Sequence, residues 1–268
     1  MMLFNKAVTP SIFALFLLLH GWGPVATSHQ QAMASDGDTI TYLQIDYLAV
    51  QPADLADFLE LQEEVWKPVQ QKRYEEGVIT NWSLYETLIT GPTASYNFVA
   101  VTTTRVYAEL FGHDPGLLRA PLRSHYHIVK SEIWRMEGAA LPAQATGPKG
   151  LYVTKNYMDT RGGSGEHAEM ELDFWRPIHH VRIEQDILNS WVMYTLLKPG
   201  GSSRRYNYST IDYYDRLADI EGSVGMELAR IAHPELSDRQ RSDFFRRTGD
   251  SRTAYKTEMW REMMRVGE

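Results

Sequence analysis

The sequence contains no cysteine, which excludes disulfide bonds, a cysteine nucleophile and a lipid anchor attached through cysteine. It also lacks a surplus of basic residues, because 27 lysines and arginines face 34 aspartates and glutamates, a formal net charge of −7. Binding to nucleic acid requires a cationic surface, so that class of protein is not expected. What the chain does contain is material for a packed core, since 43% of its residues are hydrophobic and 12% aromatic.

The first 34 residues have the pattern of an export signal. Lys6 supplies a positive charge, and residues 12–19 (IFALFLLL) form an apolar run too short to span a bilayer. Residues 32–34 (AMA) form a small-x-small cleavage site, with a second candidate at 26–28. The sequence therefore predicts a signal peptide over 1–34, a flexible stretch over 35–40 and a periplasmic or extracellular protein with no transmembrane segment in the mature chain. An uncleaved N-terminal helix is the alternative.

One unusual sequence pattern occurs twice in the chain. The segment WKPV at Trp66 matches WRPI at Trp175, and the later segments SEIWR and TEMWR also match. The six tryptophans that follow the predicted signal form three pairs: Trp66 with Trp175, Trp82 with Trp191, and Trp134 with Trp260. Such pairing of a rare residue predicts an internal duplication.

Each copy has the pattern of a strand, a helix, two strands, an irregular or helical segment and a last strand. The predicted strands are 41–50, 80–90, 96–104 and 127–137 in the first copy, and 151–160, 189–197, 205–215 and 253–263 in the second. The predicted helices are 52–76 and 166–185. Repeat 1 (41–140), a linker (141–150) and repeat 2 (151–264) follow from this division. The β-α-β-β-α-β order predicts an α+β fold, two tandem ferredoxin-like units packed sheet to sheet as an intramolecular pseudo-dimeric α/β barrel.

This arrangement resembles the dimeric α/β-barrel superfamily, which includes antibiotic-biosynthesis-type monooxygenases and the EthD-like and NIPSNAP-like proteins. The resemblance covers nearly the whole chain after the signal, with no close match to one family. In that superfamily two such sheets usually come from separate subunits, so the resemblance implies a pseudo-dimer within one polypeptide, folded as a monomer. It also implies that a ligand binds between the helices and a sheet.

The repeated prolines give the first candidate site. Pro68 and Pro177 fall inside the predicted helices, where proline removes an amide donor and clashes with a carbonyl, so a kink or break is expected. A kink would open space over the sheet, although the prolines could instead only curve the helix. The predicted ligand-binding residues are Trp66 and Asn97 in the first copy, and Trp175 and Asn207 in the second. The alternative is that the tryptophans fill the core and the asparagines are structural amides.

Four residues are weak catalytic candidates. Glu132 and Glu258 each lie two residues before a tryptophan on a partly buried strand. A raised pKa of the glutamate there would allow general acid–base catalysis. The alternative is a structural lysine–glutamate network where the two copies meet. His179 and His180 replace glutamines of the first copy, and neighbouring helical residues point about 100° apart, so only one can face a pocket.

Two classes of function follow from the sequence. The chain lacks a phosphate-binding loop, a GxSxG elbow and an HExxH motif. The first class is a cofactor-independent oxygenase, isomerase or cyclase acting on a small aromatic or hydrophobic molecule. The second is a non-catalytic exported binding or scaffold protein. A haem-binding protein is a further alternative, because haem-degrading members of the superfamily use an axial histidine and His125 and His127 would share one face of a strand. No metal and no cofactor are predicted, with haem left open.

Overall fold

Eight strands and the helices that cover them make up the computed structural model of this chain. The structure describes residues 40–91, 94–111, 125–160, 164–200, 205–222 and 225–267, and the predicted signal lies outside them. The strands are β1 (Tyr42–Ala49), β2 (Asn81–Ile89), β3 (Phe98–Thr104), β4 (His127–Ala140), β5 (Tyr152–Thr160), β6 (Ser190–Lys198), β7 (Tyr208–Tyr214) and β8 (Arg252–Val266). These bounds agree with the predicted strands to within a few residues.

The strands close into a single antiparallel barrel in the order β1-β3-β2-β8-β5-β7-β6-β4. The first four strands therefore lie in the order β4-β1-β3-β2, and the last four in the order β8-β5-β7-β6. The pairs β2–β8 and β4–β6 join the two sets edge to edge. The predicted α+β barrel is confirmed. The two sets form one continuous sheet rather than two sheets packed face to face, because each open edge finds hydrogen-bonding partners on the other set.

The barrel interior is the largest part of the hydrophobic core. Along β1, burial alternates so that Leu43, Ile45 and Tyr47 point inward, as the period-two pattern of a half-buried strand requires. Smaller apolar clusters lie between the outer face of the barrel and the helices that cover it. Side chains on the inner and the outer face of the barrel therefore face different environments.

The helix that covers each half of the barrel contains one π-helical turn. In the first half, α1 (Leu55–Leu61) continues through a π turn (Gln62–Trp66) into α2 (Lys67–Glu75). In the second half, α3 (Ser164–Met170), a π turn (Glu171–Trp175) and α4 (Arg176–Glu184) follow in the same way. Of the predicted kink or break at the prolines, the break is wrong, because the helix continues through Pro68 and Pro177. Each proline stands in the first turn after the π segment, where the hydrogen-bond spacing changes and the missing amide is tolerated.

The second half carries two further helices, α5 (Met226–Ala232) and α6 (Asp238–Ser251). A capping box formed by Ser237 and Gln240 begins α6. This helix continues past Gly249 to Ser251. These helices pack on the covering helix through Phe174, whose ring stacks on Phe244 with a centroid distance of 4.6 Å. Within the described residues, no helix is both long and apolar enough to cross a membrane.

Candidate functional site

A cavity of about 320 Å³ lies between the covering helix of the second half and the outer face of the barrel. Its wall combines side chains from the helix, from β5 to β8 and from the loop after β7: Thr154, Asn156, Glu171, Trp175, His179, Arg182, Trp191, Thr210, Asp212, Tyr214, Ile220, Gly222, Arg252 and Thr257. Two predicted site residues, Trp175 and His179, are therefore brought together here. A volume of this size suits a small molecule.

A buried carboxyl group stands at one side of this cavity. Glu171 is 2% exposed and comes four residues before Trp175, so the two share one face of the helix. Arg252 on β8 donates a hydrogen bond to Glu171 Oε1. Burial outweighs this arginine and raises the pKa of Glu171 to about 7. Within the described part of the chain every recorded contact of Glu171 involves Oε1, which leaves Oε2 for a ligand.

An arginine organises a second charged part of the cavity wall. Arg182 Nη1 donates to Asp212 Oδ1 at 3.2 Å, and Nη2 donates to the Tyr214 hydroxyl at 3.1 Å. The same Nη1 lies 3.2 Å from His179 Nδ1. Burial raises the pKa of Asp212, although Arg182 opposes that rise. Burial, and then the charge of Arg182, hold the pKa of His179 well below its ordinary value. His179 is therefore a neutral imidazole that accepts at Nδ1 and carries its proton on Nε2.

Aromatic rings form the apolar part of the wall. The His179 ring stacks on Trp191 with centroids 4.7 Å apart and an interplanar angle of 13°. Trp175 lies 6.3 Å from the same imidazole, and its Nε1 donates to Thr248 Oγ1 of α6 at 2.9 Å. The hydrogen bond to α6 fixes the orientation of Trp175. A flat aromatic ligand would meet complementary surfaces here.

The two predicted asparagines do not line the cavity; each connects the ends of two strands. Asn97 accepts from the Val50 amide at 2.9 Å and donates to the Val50 carbonyl at 3.1 Å. Asn207 accepts from the Thr160 amide at 3.0 Å and donates to Thr160 Oγ1 at 2.9 Å. These contacts favour the alternative reading of both residues as structural amides. Trp66 also lies away from this cavity, and its buried Nε1 has no hydrogen-bond partner within the described residues.

Glu132 lies inside the barrel rather than under a helix. Its carboxylate is 2% exposed and accepts from Lys130 at 2.8 Å, from Tyr47 at 2.8 Å and from Trp134 Nε1 at 3.2 Å. The Tyr206 hydroxyl is a fourth donor. Burial alone would raise the pKa of Glu132, but Lys130 lowers it below its ordinary value. The expected raised pKa is therefore wrong for this residue.

Glu258 has the same surroundings in the second half. It is fully buried and accepts from Lys256 at 2.6 Å, from Tyr157 at 3.1 Å and from Trp260 Nε1 at 3.1 Å. The Tyr96 hydroxyl, which belongs to the first half, is again the fourth donor. A carboxylate with this many donors is held in one position, which favours a structural network over acid–base chemistry.

One residue disturbs the symmetry of this interior network. The hydroxyls of Tyr47 and Tyr157 lie 2.7 Å apart, and in the same interior Lys155 is fully buried. The ammonium of Lys155 donates to Ser209 Oγ at 2.7 Å and lies 3.9 Å from the centroid of the Trp134 ring. Burial lowers the pKa of Lys155 to about 7.

The other histidines lie outside the cavity wall. His180, next to His179 on α4, is partly exposed, in agreement with the prediction that only one of the pair faces a pocket. His127 begins β4 and is exposed, while His125 Nδ1 lies 3.8 Å from Asp57. In the described part of the chain, no group of three or more histidine and acidic side chains is arranged to hold a metal ion.

Sequence reasoning missed four charged residues of the cavity: Glu171, Arg182, Asp212 and Arg252. A signal was available for two of them in the comparison of the copies. Glu171 takes the place of Gln62, and Asp212 takes the place of Thr102. At both positions the second half of the barrel has a buried acidic residue.

Comparison with solved structures agrees with the fold. The chain is similar to a haem-binding protein from Thermus thermophilus (TM-score 0.51, 11% identity, covering 84% of this chain and 91% of that one). It is also similar to a provisional chlorite dismutase (TM-score 0.51, 10% identity, covering 84% of this chain and 95% of that one). A provisional monooxygenase from Lactobacillus acidophilus gives a TM-score of 0.46 at 8% identity, with 85% and 96% covered. At these identities the first two likenesses are likenesses of fold, in agreement with the α/β barrel that the sequence predicted. No protein-family profile and no curated protein matches the chain.

Haem does not fit the residues of this cavity. An axial histidine binds iron through one ring nitrogen and donates the N–H of the other nitrogen to an acceptor. His179 is the only histidine among the described residues of the wall, and its Nδ1 accepts from an arginine N–H. The proton of this imidazole is therefore on Nε2, so Nδ1 has no N–H to donate and Nε2 has no free lone pair for iron. The wall also carries two ion pairs, Arg182–Asp212 and Arg252–Glu171, whereas the macrocycle of haem is largely apolar. Polar aromatic ligands suit the site better.

Proposed function

We propose that this chain is a small-molecule-binding barrel protein that removes a proton from a small aromatic compound in the helix-side cavity. Proton removal is a common first step of cofactor-independent oxygenation, of isomerisation and of cyclisation. The observation that carries the proposal is Glu171, a buried carboxyl group in the wall of a cavity that also contains two tryptophans.

The chemistry assigned to Glu171 is general base catalysis. With a pKa of about 7, a large fraction of this side chain is ionised near neutral pH, and such a carboxylate is also a stronger base than an ordinary glutamate. Arg252 fixes one carboxylate oxygen, so the other is presented in a constant direction. The proton passes from a C–H or O–H group of the substrate to Glu171, and the electron pair stays on the substrate as an enolate or phenolate.

Two donors of the same cavity wall support the resulting negative charge. Arg182 is cationic, and the Nε2–H of His179 is a neutral donor in the same wall. Fixed donors in a site shielded from water stabilise a developing oxyanion more strongly than water does. The aromatic faces of Trp175 and Trp191 would hold the ring of the substrate in the same cavity.

The test is proton exchange on a simple enolisable ketone. In deuterated water the protein should catalyse incorporation of deuterium at the benzylic carbon of 2-tetralone, followed by NMR. The variant Glu171→Gln should lose this activity. Glu169→Gln, on the less buried face of the same helix, is the matched control and should keep it. Because the base must be deprotonated, the rate should rise with pH through about 7 and then level off.

A non-catalytic binding or scaffold protein is the alternative. Tryptophan fluorescence that responds to 2-tetralone without any deuterium incorporation would favour that alternative. Exchange that survives in Glu171→Gln would overturn the role assigned to Glu171.

We further propose the finer description of the chain, an exported protein with two duplicated ferredoxin-like units. The paired tryptophans, the equal strand order of the two halves and the paired Tyr47 and Tyr157 support the duplication. The apolar run and cleavage sites before residue 36 support export. N-terminal sequencing of the exported protein should begin between residues 27 and 36; intact Met1 in the soluble fraction would contradict it.

A further inference from the structure

A second cavity, of about 270 Å³, opens at one end of the barrel, where β6 ends and β7 and β8 begin. Its wall includes three cationic or acidic side chains, Lys130, Glu132 and Arg205, and the rings of Tyr206 and Tyr255. The helix-side cavity shares none of these residues. This barrel-mouth cavity therefore needs its own explanation.

The charges of the cavity wall do not balance. Lys130 donates to Glu132 at 2.8 Å, so these two charges neutralise each other. Arg205 donates to the Tyr255 hydroxyl at 3.1 Å, and among the described residues no carboxylate lies within ion-pair distance of its guanidinium. An arginine with free donors on a planar fork matches the two oxygens of a carboxylate.

The rest of the wall is aromatic and apolar. The ring centroids of Tyr206 and Tyr255 lie 5.4 Å apart, and Leu196 and Pro199 complete the surface. A ligand with an aromatic ring and one carboxylate would place the ring against these side chains and the carboxylate against Arg205.

The two halves of the barrel differ at this point. The pairing Tyr157↔Lys256 is followed by Met158↔Ala254, which leaves Tyr255 as the extra residue of a β-bulge. The first half has the same bulge, with Tyr47↔Lys130 followed by Leu48↔Ile128, and its extra residue is Val129. A bulge directs its extra side chain away from the regular pleat. One half therefore uses this geometry to present a tyrosine at the mouth, while the other presents a valine.

Arg205 shows the same divergence. It immediately precedes Tyr206, and the corresponding residue before Tyr96 in the first half is Ser95. The second half thus has a cation and an aromatic ring where the first half has a hydroxyl and an aliphatic side chain. The shared interior network does not require either change, since Tyr96 and Tyr206 bind their glutamates in both settings.

We propose that the barrel mouth is a binding site for a small aromatic carboxylate, with Arg205 binding the carboxylate and Tyr206 and Tyr255 binding the ring. This site is separate from the helix-side cavity and does not depend on the function proposed for it.

Isothermal titration calorimetry with 4-hydroxybenzoate tests the proposal on the full chain. The wild-type protein should bind this probe, and the neutral analogue 4-hydroxybenzyl alcohol should bind at least about tenfold more weakly, because it cannot pair with a guanidinium. Arg205→Ser and Tyr255→Val introduce the residues of the first half and should each weaken binding of 4-hydroxybenzoate by at least about tenfold. Arg216→Ser, which removes an exposed arginine paired with Asp219, is the control and should leave binding unchanged.

Several results would overturn the proposal. One is the absence of wild-type binding at millimolar probe, and another is equal affinity for the acid and the alcohol. A third is unchanged binding in Arg205→Ser and Tyr255→Val with thermal midpoints equal to the wild type. Glu171→Gln should bind 4-hydroxybenzoate normally. Loss of binding in Glu171→Gln alone would place the probe in the helix-side cavity and exclude the barrel mouth, whatever the result of the tetralone exchange.

Discussion

Lys155 gives the protein a stability that depends on pH in a calculable way. In the unfolded chain its pKa has the ordinary value of 10.5, whereas burial lowers it to about 7 in the folded protein. Between these two values the unfolded chain binds a proton that the folded protein does not bind. The free energy of unfolding contributed by Lys155 therefore increases as pH rises through this interval, by about 1.4 kcal/mol per pH unit. Below pH 7 both states are protonated and this dependence disappears.

The size of the effect follows from the difference between the two pKa values. From 10.5 to about 7, the whole interval corresponds to about 5 kcal/mol. The first half of the barrel shows which substitutions would remove this pH dependence. In that half, Ile45 and Val99 occupy the register positions that Lys155 and Ser209 occupy in the second half. The double variant Lys155→Ile, Ser209→Val replaces the lysine and its hydroxyl partner together, so neither member of the pair is left buried without the other.

The assay is urea unfolding of both proteins at about pH 7, 8 and 9. Titrating groups common to the two proteins cancel when their free energies of unfolding are subtracted. The wild type should gain on the variant by about 2.3 kcal/mol from pH 7 to pH 9, less than twice the full slope because the folded lysine is still half protonated at pH 7. Parallel pH profiles would refute the reasoning, because they would mean that Lys155 keeps an ordinary pKa or that the barrel opens to hydrate it.

Two further predictions concern the asparagines and the assembly state. Asn97→Leu and Asn207→Leu should each reduce the free energy of unfolding by about 1 to 3 kcal/mol, because a backbone amide at a strand end loses its acceptor, while the tryptophan response to 2-tetralone persists. Loss of that response in Asn207→Leu with full stability would restore the asparagine as a ligand contact. Light scattering should show a folded monomer, because the barrel closes within one chain. A chain found only as a dimer at sub-micromolar concentration, with unfolding coupled to dissociation, would contradict this.

The strands of this fold could be predicted because their signal is local. The alternation of apolar and polar residues along β1 can be read directly from neighbouring residues. The π turns could not be predicted in the same way. Proline in a helical pattern indicates disruption, but whether the chain responds with a kink or a widened turn depends on packing against the barrel. The sequence therefore predicts an irregular helix near Pro68 and Pro177, but it does not predict that the irregularity is a π turn.

The candidate site could be predicted only in part, because its charges come from distant segments. Trp175 and His179 share one helix, so their proximity follows from helical spacing. Asp212 and Arg252 reach the same cavity on β7 and β8, which become neighbours of the helix only after the barrel closes. The asparagines were predicted in the wrong environment for a similar reason, since the amide of Asn207 finds its partner on Thr160, a residue 47 positions away.

The closed order of the strands has a consequence for chain connectivity. The linker over 141–150 leads from the end of β4 to the start of β5, and these strands are three places apart around the barrel. The end of β8 and the start of β1 are also three places apart, roughly 14 Å along the wall. A segment like the existing linker could join them, since about ten extended residues span up to about 33 Å. The same barrel could thus be encoded by a circularly permuted gene in which the second half is translated first.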